Sequence, residues 1–313
     1  MQRRHNSRHV WALTAAIATT GALAVSCGGP PPEREAGNVR GSSTLNAPAD
    51  PGFGHVQGLG LNPADGMLYA ATHFGVWRLP AEPATPGSAA VRPMRIADRW
   101  QDTMGFTVAG PDTFYGSGHP DLREDAPPHL GFIVSTDRAQ TWQSISLPGQ
   151  ADFHDLAAVG TRVYGYDATG GRLLASNDSG RTWQERPQQP VEDLTVDPGN
   201  ADSLLATSAA GLLVSRDAGT TFGSVPDAPP LVAVDWLGGV LAGVDAAGDV
   251  WLATTGRPEG GWRPSGALTG APQAFTVAFD GRLFAADDHG VKVSIDSGRT
   301  WTLLADYDGS LHE

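Results

Sequence analysis

The chain has 313 residues, 40% of them hydrophobic and 18% charged, which is enough apolar material for one large domain or two ordinary ones. Forty glycines and 24 prolines argue against a helical protein and favour many short strands. A formal net charge of −13 excludes sequence-independent nucleic-acid binding, and a single cysteine excludes an internal disulfide framework or a cysteine-based zinc cluster.

Residues 1–9 carry Arg3, Arg4 and Arg8 with no acid, and residues 10–25 form an apolar run too short to span a bilayer comfortably. This is the pattern of an export signal, expected over residues 1–26. The run ends at Ala24-Val25-Ser26-Cys27 followed by Gly28-Gly29, which resembles the lipobox of bacterial lipoproteins. That resemblance implies lipidation of Cys27 and a chain held on the extracytoplasmic side of a membrane by lipid. Residues 27–51 lack apolar periodicity and are rich in Gly, Pro and Ser, as a flexible tether would be.

From residue 52 onward the sequence repeats. Four segments share one pattern: Ser135 to Trp142, Ser176 to Trp183, Ser215 to Phe222 and Ser294 to Trp301, with aspartates at Asp137, Asp178, Asp217 and Asp296. The aspartates are 41, 39 and 79 residues apart, so a degenerate copy is expected between Ala253 and Trp262. The chemistry is that of a tight turn. The carboxylate accepts backbone N–H groups, a glycine takes positive φ, and Trp142, Trp183 or Trp301 opens the next strand and packs between neighbouring sheets. Each unit has the same order, with a first strand such as Asp193-Leu-Thr-Val196 and a second such as Arg162-Val-Tyr-Gly165. Four short strands at a spacing of about 40 residues make a propeller blade. Six such units imply an all-β, six-bladed β-propeller over residues 52–313.

The boxes resemble the Asp-box, or BNR, repeat of sialidases, sortilin-like receptors and photosystem-assembly propellers. The body as a whole, through His55-Val-Gln57, Thr72-His73-Phe-Gly75, Ser117-Gly-His119-Pro120 and Asp152-Phe-His154-Asp155, is similar to exported propeller lipoproteins labelled glycosylhydrolase or exo-α-sialidase. Their unit-one motif more often reads His-x-His, and Gln57 stands at its second position here. The resemblance implies a glycosidase acting on extracellular glycans, yet the arginine triad and the Tyr/Glu pair of a sialidase are not recognisable. A carboxylate pair for another glycosidase would come from Asp102, Asp152, Asp155, Glu192 or Asp193.

Propeller topology places the loops before strand one and between strands two and three at one end of the central channel. It places the boxes at the other end, where their aspartates are structural. His129 and His312 read as loop and tail residues, whereas His55, His73, His119, His154 and His289 all map to the first end. With Gln57, Asp102 and Asp155 they form the candidate ligand-binding face. His55, His73, His119 and His154 are the candidate ligands of a divalent metal. Hydrogen-bonded loop histidines filling the channel mouth are the alternative. The first reading is a non-catalytic propeller binding a small ligand, a metal, a glycan or an extracytoplasmic protein; the second is a glycosidase.

Overall fold

The computed structural model describes residues 50–83 and 92–306. The leader, Cys27, most of the tether and His312 lie outside the described residues. Short strands alternate with Gly-, Asp- and Pro-rich turns throughout, and one 3-10 turn at Pro258–Gly260 is the sole helical element among the described residues.

The strands form six four-stranded antiparallel sheets. Blade one comprises β1 (Val56–Leu61), β2 (Leu68–Thr72), β3 (Gly75–Leu79) and β4 (Met94–Arg95). Blade two comprises β5 (Asp102–Gly110), β6 (Thr113–His119), β7 (Phe132–Ser135) and β8 (Gln143–Ser146). Blade three holds β9 (Phe153–Val159), β10 (Arg162–Asp167), β11 (Arg172–Ser176) and β12 (Gln184–Glu185). Blade four holds β13 (Asp193–Val196), β14 (Leu204–Thr207), β15 (Leu213–Ser215) and β16 (Gly223–Ser224). Blade five runs through β17 (Leu231–Leu237), β18 (Val240–Asp245), β19 (Asp249–Ala253) and β20 (Trp262–Ala267). Blade six runs through β21 (Pro272–Val277), β22 (Leu283–Asp287), β23 (Gly290–Ser294) and β24 (Thr302–Ala305). The six-bladed, all-β expectation is therefore met, and the degenerate unit is blade five.

Each first strand packs beside the first strand of the next blade, and β1 meets β21 to close the ring. Among the described residues no blade combines strands from both ends of the sequence, and side chains join blade one to blade six. Val56, Leu68, Trp77 and Leu79 of blade one pack with Phe284, Val291 and Val293 of blade six. The Val56 N–H donates to Gln273 Oε1 at 3.1 Å across the same seam. Equivalent apolar layers fill the other interfaces, with Tyr164 and Leu173 against Leu194, Val196 and Leu204 between blades three and four. Fully burying such a side chain contributes roughly 1.5–3 kcal/mol, and the largest are Tyr69, Tyr164, Phe114, Phe132, Phe153 and Phe284.

The four boxes fold alike. In blade three, Ser176 Oγ donates to Asp178 Oδ1 at 2.8 Å, the Thr182 N–H to the same oxygen at 2.8 Å, and Thr182 Oγ1 to Oδ2 at 2.6 Å. The bonds from the Thr side chain and backbone hold Asp178 and Asp217 down to about 2. In blades two, three and four the box lies beside the turn joining the first two strands of its own blade: the Arg138 N–H reaches Asp112 O at 3.2 Å, the Ser179 N–H Thr161 O at 3.0 Å and the Ala218 N–H Asp202 O at 2.9 Å. Gly180 sits at φ 78°, and a Cβ there would come within 2.1 Å of the Phe132 ring. That position admits only glycine without displacing a core aromatic.

Candidate functional site

The channel runs along the six first strands as a cavity of about 390 Å3 whose lining includes Gln57, His154, Asp155, Asp193, Asp235 and Thr276. Two polar systems belong to it: a histidine and aspartate chain that reaches its lining through Gln57 and His154 at the mouth, and a group of buried aspartates further along the strands.

The mouth chain crosses blades one to three. His55 and His73 stack with ring centroids 5.6 Å apart, and Gln57 Nε2 lies 2.9 Å from His73 Nε2. His73 Nδ1 is 2.8 Å from Asp102 Oδ1, and His119 Nδ1 is 3.2 Å from Asp102 Oδ2. The opposite nitrogen of the same ring, His119 Nε2, stands 3.4 Å from Asp152 Oδ2. Asp152 Oδ2 also lies 3.2 Å from His154 Nε2 and 3.7 Å from His129 Nδ1. One acid thus faces three imidazoles. Burial and the neighbouring His73 ring lower the pKa of His55, whereas the hydrogen bond to Asp152 raises that of His154. Burial opposes ionisation of Asp152, but the His154 bond and the His119 and His129 rings together hold its carboxyl below the usual range.

The backbone fixes these side chains. The Asp152 N–H donates to Asp167 Oδ1 at 3.0 Å, its C=O accepts the Ala168 N–H at 2.9 Å, and the Phe153 N–H donates to Ser117 Oγ at 3.0 Å. His119 ends β6 directly after Gly118, whose φ is 131° and whose Cβ, if present, would lie 2.1 Å from Asp102 O. Only a glycine lets β6 approach β5 closely enough to set His119 on Asp102. His129 is tied through Leu130 N–H to Gly118 O at 2.8 Å and through its own carbonyl to Gly149 N–H at 2.7 Å.

Of the expected residues, His55, Gln57, His73, Asp102, His119 and His154 fall in this chain. Asp155 does not. Its Oδ2 accepts the Leu194 N–H inside the channel, stitching blade three to blade four. Asp193 does the same for the Val234 N–H at 2.6 Å, and Asp235 for the Val277 N–H at 2.7 Å. Burial pushes Asp155 up to about 7, raises Asp193 well above a normal carboxyl, and raises Asp235. His289 is also separate, grouped with Asp287 and Asp288 in blade six. There Asp287 holds the buried Lys292 ammonium, which also donates to Thr269 Oγ1 at 2.7 Å. The loop residue His129 is the one that sequence reasoning passed over. Its place between β6 and β7 puts it, by the topology rule, on the same face as His119.

No family model matches this chain. Over 179 residues it is 27% identical to an oligoxyloglucan reducing-end-specific xyloglucanase of Emericella nidulans, covering 53% of this chain and 20% of that protein. The chain thus spans about a fifth of the length of this curated relative. Among solved structures it is similar to the GH74 enzyme of Niastella koreensis, with a TM-score of 0.56 and 16% identity over 80% of this chain and 45% of that one. The GH74 xyloglucanase of Xanthomonas campestris gives a TM-score of 0.51 and 20% identity, again over 80% and 45%. A chain of the nidogen/laminin complex gives a TM-score of 0.55 and 15% identity over 77% of this chain and 89% of that one. At these identities the shared property is the β-propeller fold, with a distant sequence tie to a xyloglucanase.

Proposed function

We propose that this chain is an exported lipoprotein of the Asp-box propeller type, anchored through Cys27, that captures an extracytoplasmic ligand at the histidine-lined mouth of its channel without hydrolysing it. The observation that carries this reading is the continuous chain from His55 and Gln57 through His73, Asp102 and His119 to Asp152, His129 and His154. Polar groups converging at the end of a preformed channel are what a ligand site requires. His73, His119 and His154 keep roughly two fifths of their side-chain surface open to solvent, so a ligand can reach them.

Hydrolysis of a glycan is the second reading, favoured by the 27% identity to a xyloglucanase. It needs two carboxyls, one of them protonated at the working pH. Asp102 and Asp152 face the two nitrogens of His119, but the surrounding imidazoles favour the ionised form of Asp152. The acids that burial pushes up, Asp155 and Asp193, are committed to backbone N–H groups of the next blade. Capture therefore accounts for the mouth better than acid catalysis.

A panel of xyloglucan oligosaccharides and extracytoplasmic peptides separates the readings. Capture predicts that a panel member is retained unchanged and that His73→Ala or His154→Ala weakens retention at least tenfold. Shortened glycans whose release stops in Asp102→Asn and Asp152→Asn would assign hydrolysis, and retention indifferent to both histidines would place the site elsewhere. Cys27→Ala is expected to free the chain from the membrane fraction.

A further inference from the structure

We infer that the mouth contains a mononuclear site for a divalent transition-metal ion of the zinc class, with His119, His129 and Asp152 as its protein ligands. The inference deepens the capture reading and rests on it for the site's accessibility.

Ligand atoms of these three residues all lie within 4.8 Å of one another. A ring of two imidazole nitrogens and one carboxylate oxygen is a donor set that zinc and copper(II) accept and that calcium and magnesium, which prefer oxygen, do not. Three protein ligands leave a fourth position open for a captured molecule or water.

Two features of the cluster have no other account. Asp152 is 5% exposed, yet its Oδ1 makes no hydrogen bond. His129 Nδ1 is likewise buried without a hydrogen bond, although it stands 3.7 Å from Asp152 Oδ2. A buried polar atom left unpaired costs about 1–3 kcal/mol, so two in one cluster call for a missing partner. The orientation of His119 points to a cation. A carboxylate only accepts, so the bond from Nδ1 to Asp102 leaves Nε2 as the ring atom turned toward Asp152. Nε2 lies 3.4 Å from Asp152 Oδ2, beyond the usual N–H···O distance, and both atoms can serve one ion placed between them. Carboxylate–histidine–metal is the arrangement by which an outer acid sets the tautomer and basicity of a metal-binding ring, here with Asp102 as the outer acid. His154, bonded to Asp152 Oδ2, steadies the carboxylate from the other side.

Other buried aspartates show what this one lacks. Asp121 holds Arg123 at 2.6 Å, Asp167 holds Arg172 at 2.9 Å and Asp197 holds Arg257 at 2.6 Å. Among the described residues, the ionisable groups that face Asp152 are imidazoles.

The test is a zinc titration of the full chain, stripped of metal beforehand, against a chromophoric chelator, with no glycan or peptide present. One zinc per chain is expected, displaceable by copper(II) and indifferent to excess calcium or magnesium. His129→Ala and Asp152→Asn should each weaken zinc by more than about 100-fold, and Asp102→Asn by about 10–100-fold, the usual range for an outer partner. His289→Ala should leave affinity unchanged. The thermal midpoint of each metal-free variant reports whether it folds, and His129→Gln replaces His129→Ala if the latter does not. The absence of saturable binding, or binding that survives both His129→Gln and Asp152→Asn, would overturn the inference. Zinc bound by a chain that retains no glycan or peptide would remove the capture reading alone; a retained ligand with no zinc site would remove this inference alone.

Discussion

The molecule holds two groups in which a buried aspartate meets histidine, and they solve the same electrostatic problem differently. In blade six, Asp287 is fully buried and Lys292, the only lysine in the chain, lies against it. The His289 and Gly270 N–H groups complete that carboxylate at 2.9 and 3.1 Å. In blades two and three, Asp152 is nearly as buried, but no lysine or arginine of the described residues pairs with it, and three histidines stand around one oxygen while the other oxygen makes no hydrogen bond among them. A charge taken out of water must be compensated, by a fixed cation or by one that comes from solution. Blade six carries its cation in the sequence. The mouth of the channel offers ligands for one. Acid and histidine in proximity therefore do not define a metal site by themselves; the absence of an internal counter-ion separates the two groups.

Lys292→Met tests the first half of this contrast and should have the largest effect. It leaves the Asp287 carboxylate buried without its ammonium, and removing one partner of such a pair costs about 3–5 kcal/mol, measurable by urea unfolding. A loss below about 1 kcal/mol would mean that Asp287 does not need the cation.

The channel acids supply a third case, buried carboxyls whose ionisation burial opposes and which accept backbone N–H groups instead of finding a cation. Because the folded pKa of Asp155 is raised to about 7, the folded chain binds more protons than the unfolded one between the ordinary carboxyl value of 3.8 and about 7. Stability from this group is therefore complete below about pH 4 and is lost as pH rises through about 7, at up to about 1.4 kcal/mol per pH unit for one proton. Asp155→Asn should flatten that fall in thermal scans taken from pH 4 to 8. An unchanged slope would place the titration on Asp193 or Asp235.

Asp217→Ala sharpens the comparison from the far end of the channel. It removes the acceptor of Thr221 N–H and Thr221 Oγ1, at 2.8 and 2.6 Å, and should lower the thermal midpoint by a few degrees without changing zinc affinity. A change in affinity would show that the box turns and the mouth are coupled. The smallest effect on stability is expected for Asp152→Asn in the absence of metal. No fixed cation loses its partner there, so the change should stay within about 1 kcal/mol, in contrast to Lys292→Met. A cost as large as that of Lys292→Met would make Asp152 a structural acid rather than a ligand.

The fold was legible because its chemistry is local and repeated. Ser176, Asp178, Gly180, Thr182 and Trp183 form one turn, every bond within it spans a few residues, and the same spelling recurs at blade period. The end of the channel to which most of the histidines belong followed from strand order alone. Their partners did not. His119, His129 and Asp152 share no spacing and come together only because β6 ends where β9 begins in the next blade and the intervening loop folds back through Leu130 N–H to Gly118 O. Asp155 shows the converse difficulty. It is adjacent to His154 in sequence and lines the same channel, but its carboxylate accepts the Leu194 N–H of the next blade, a pairing no spacing in the sequence announces.

X-ray absorption at the zinc edge of the loaded full chain bears most directly on the central claim. A zinc held by His119, His129 and Asp152 gives two imidazole signatures and light-atom scattering near 2.0–2.2 Å, with one imidazole lost in His129→Gln. Sulfur scattering near 2.3 Å, which only Cys27 or a methionine could supply, or an unchanged spectrum in His129→Gln, would contradict it.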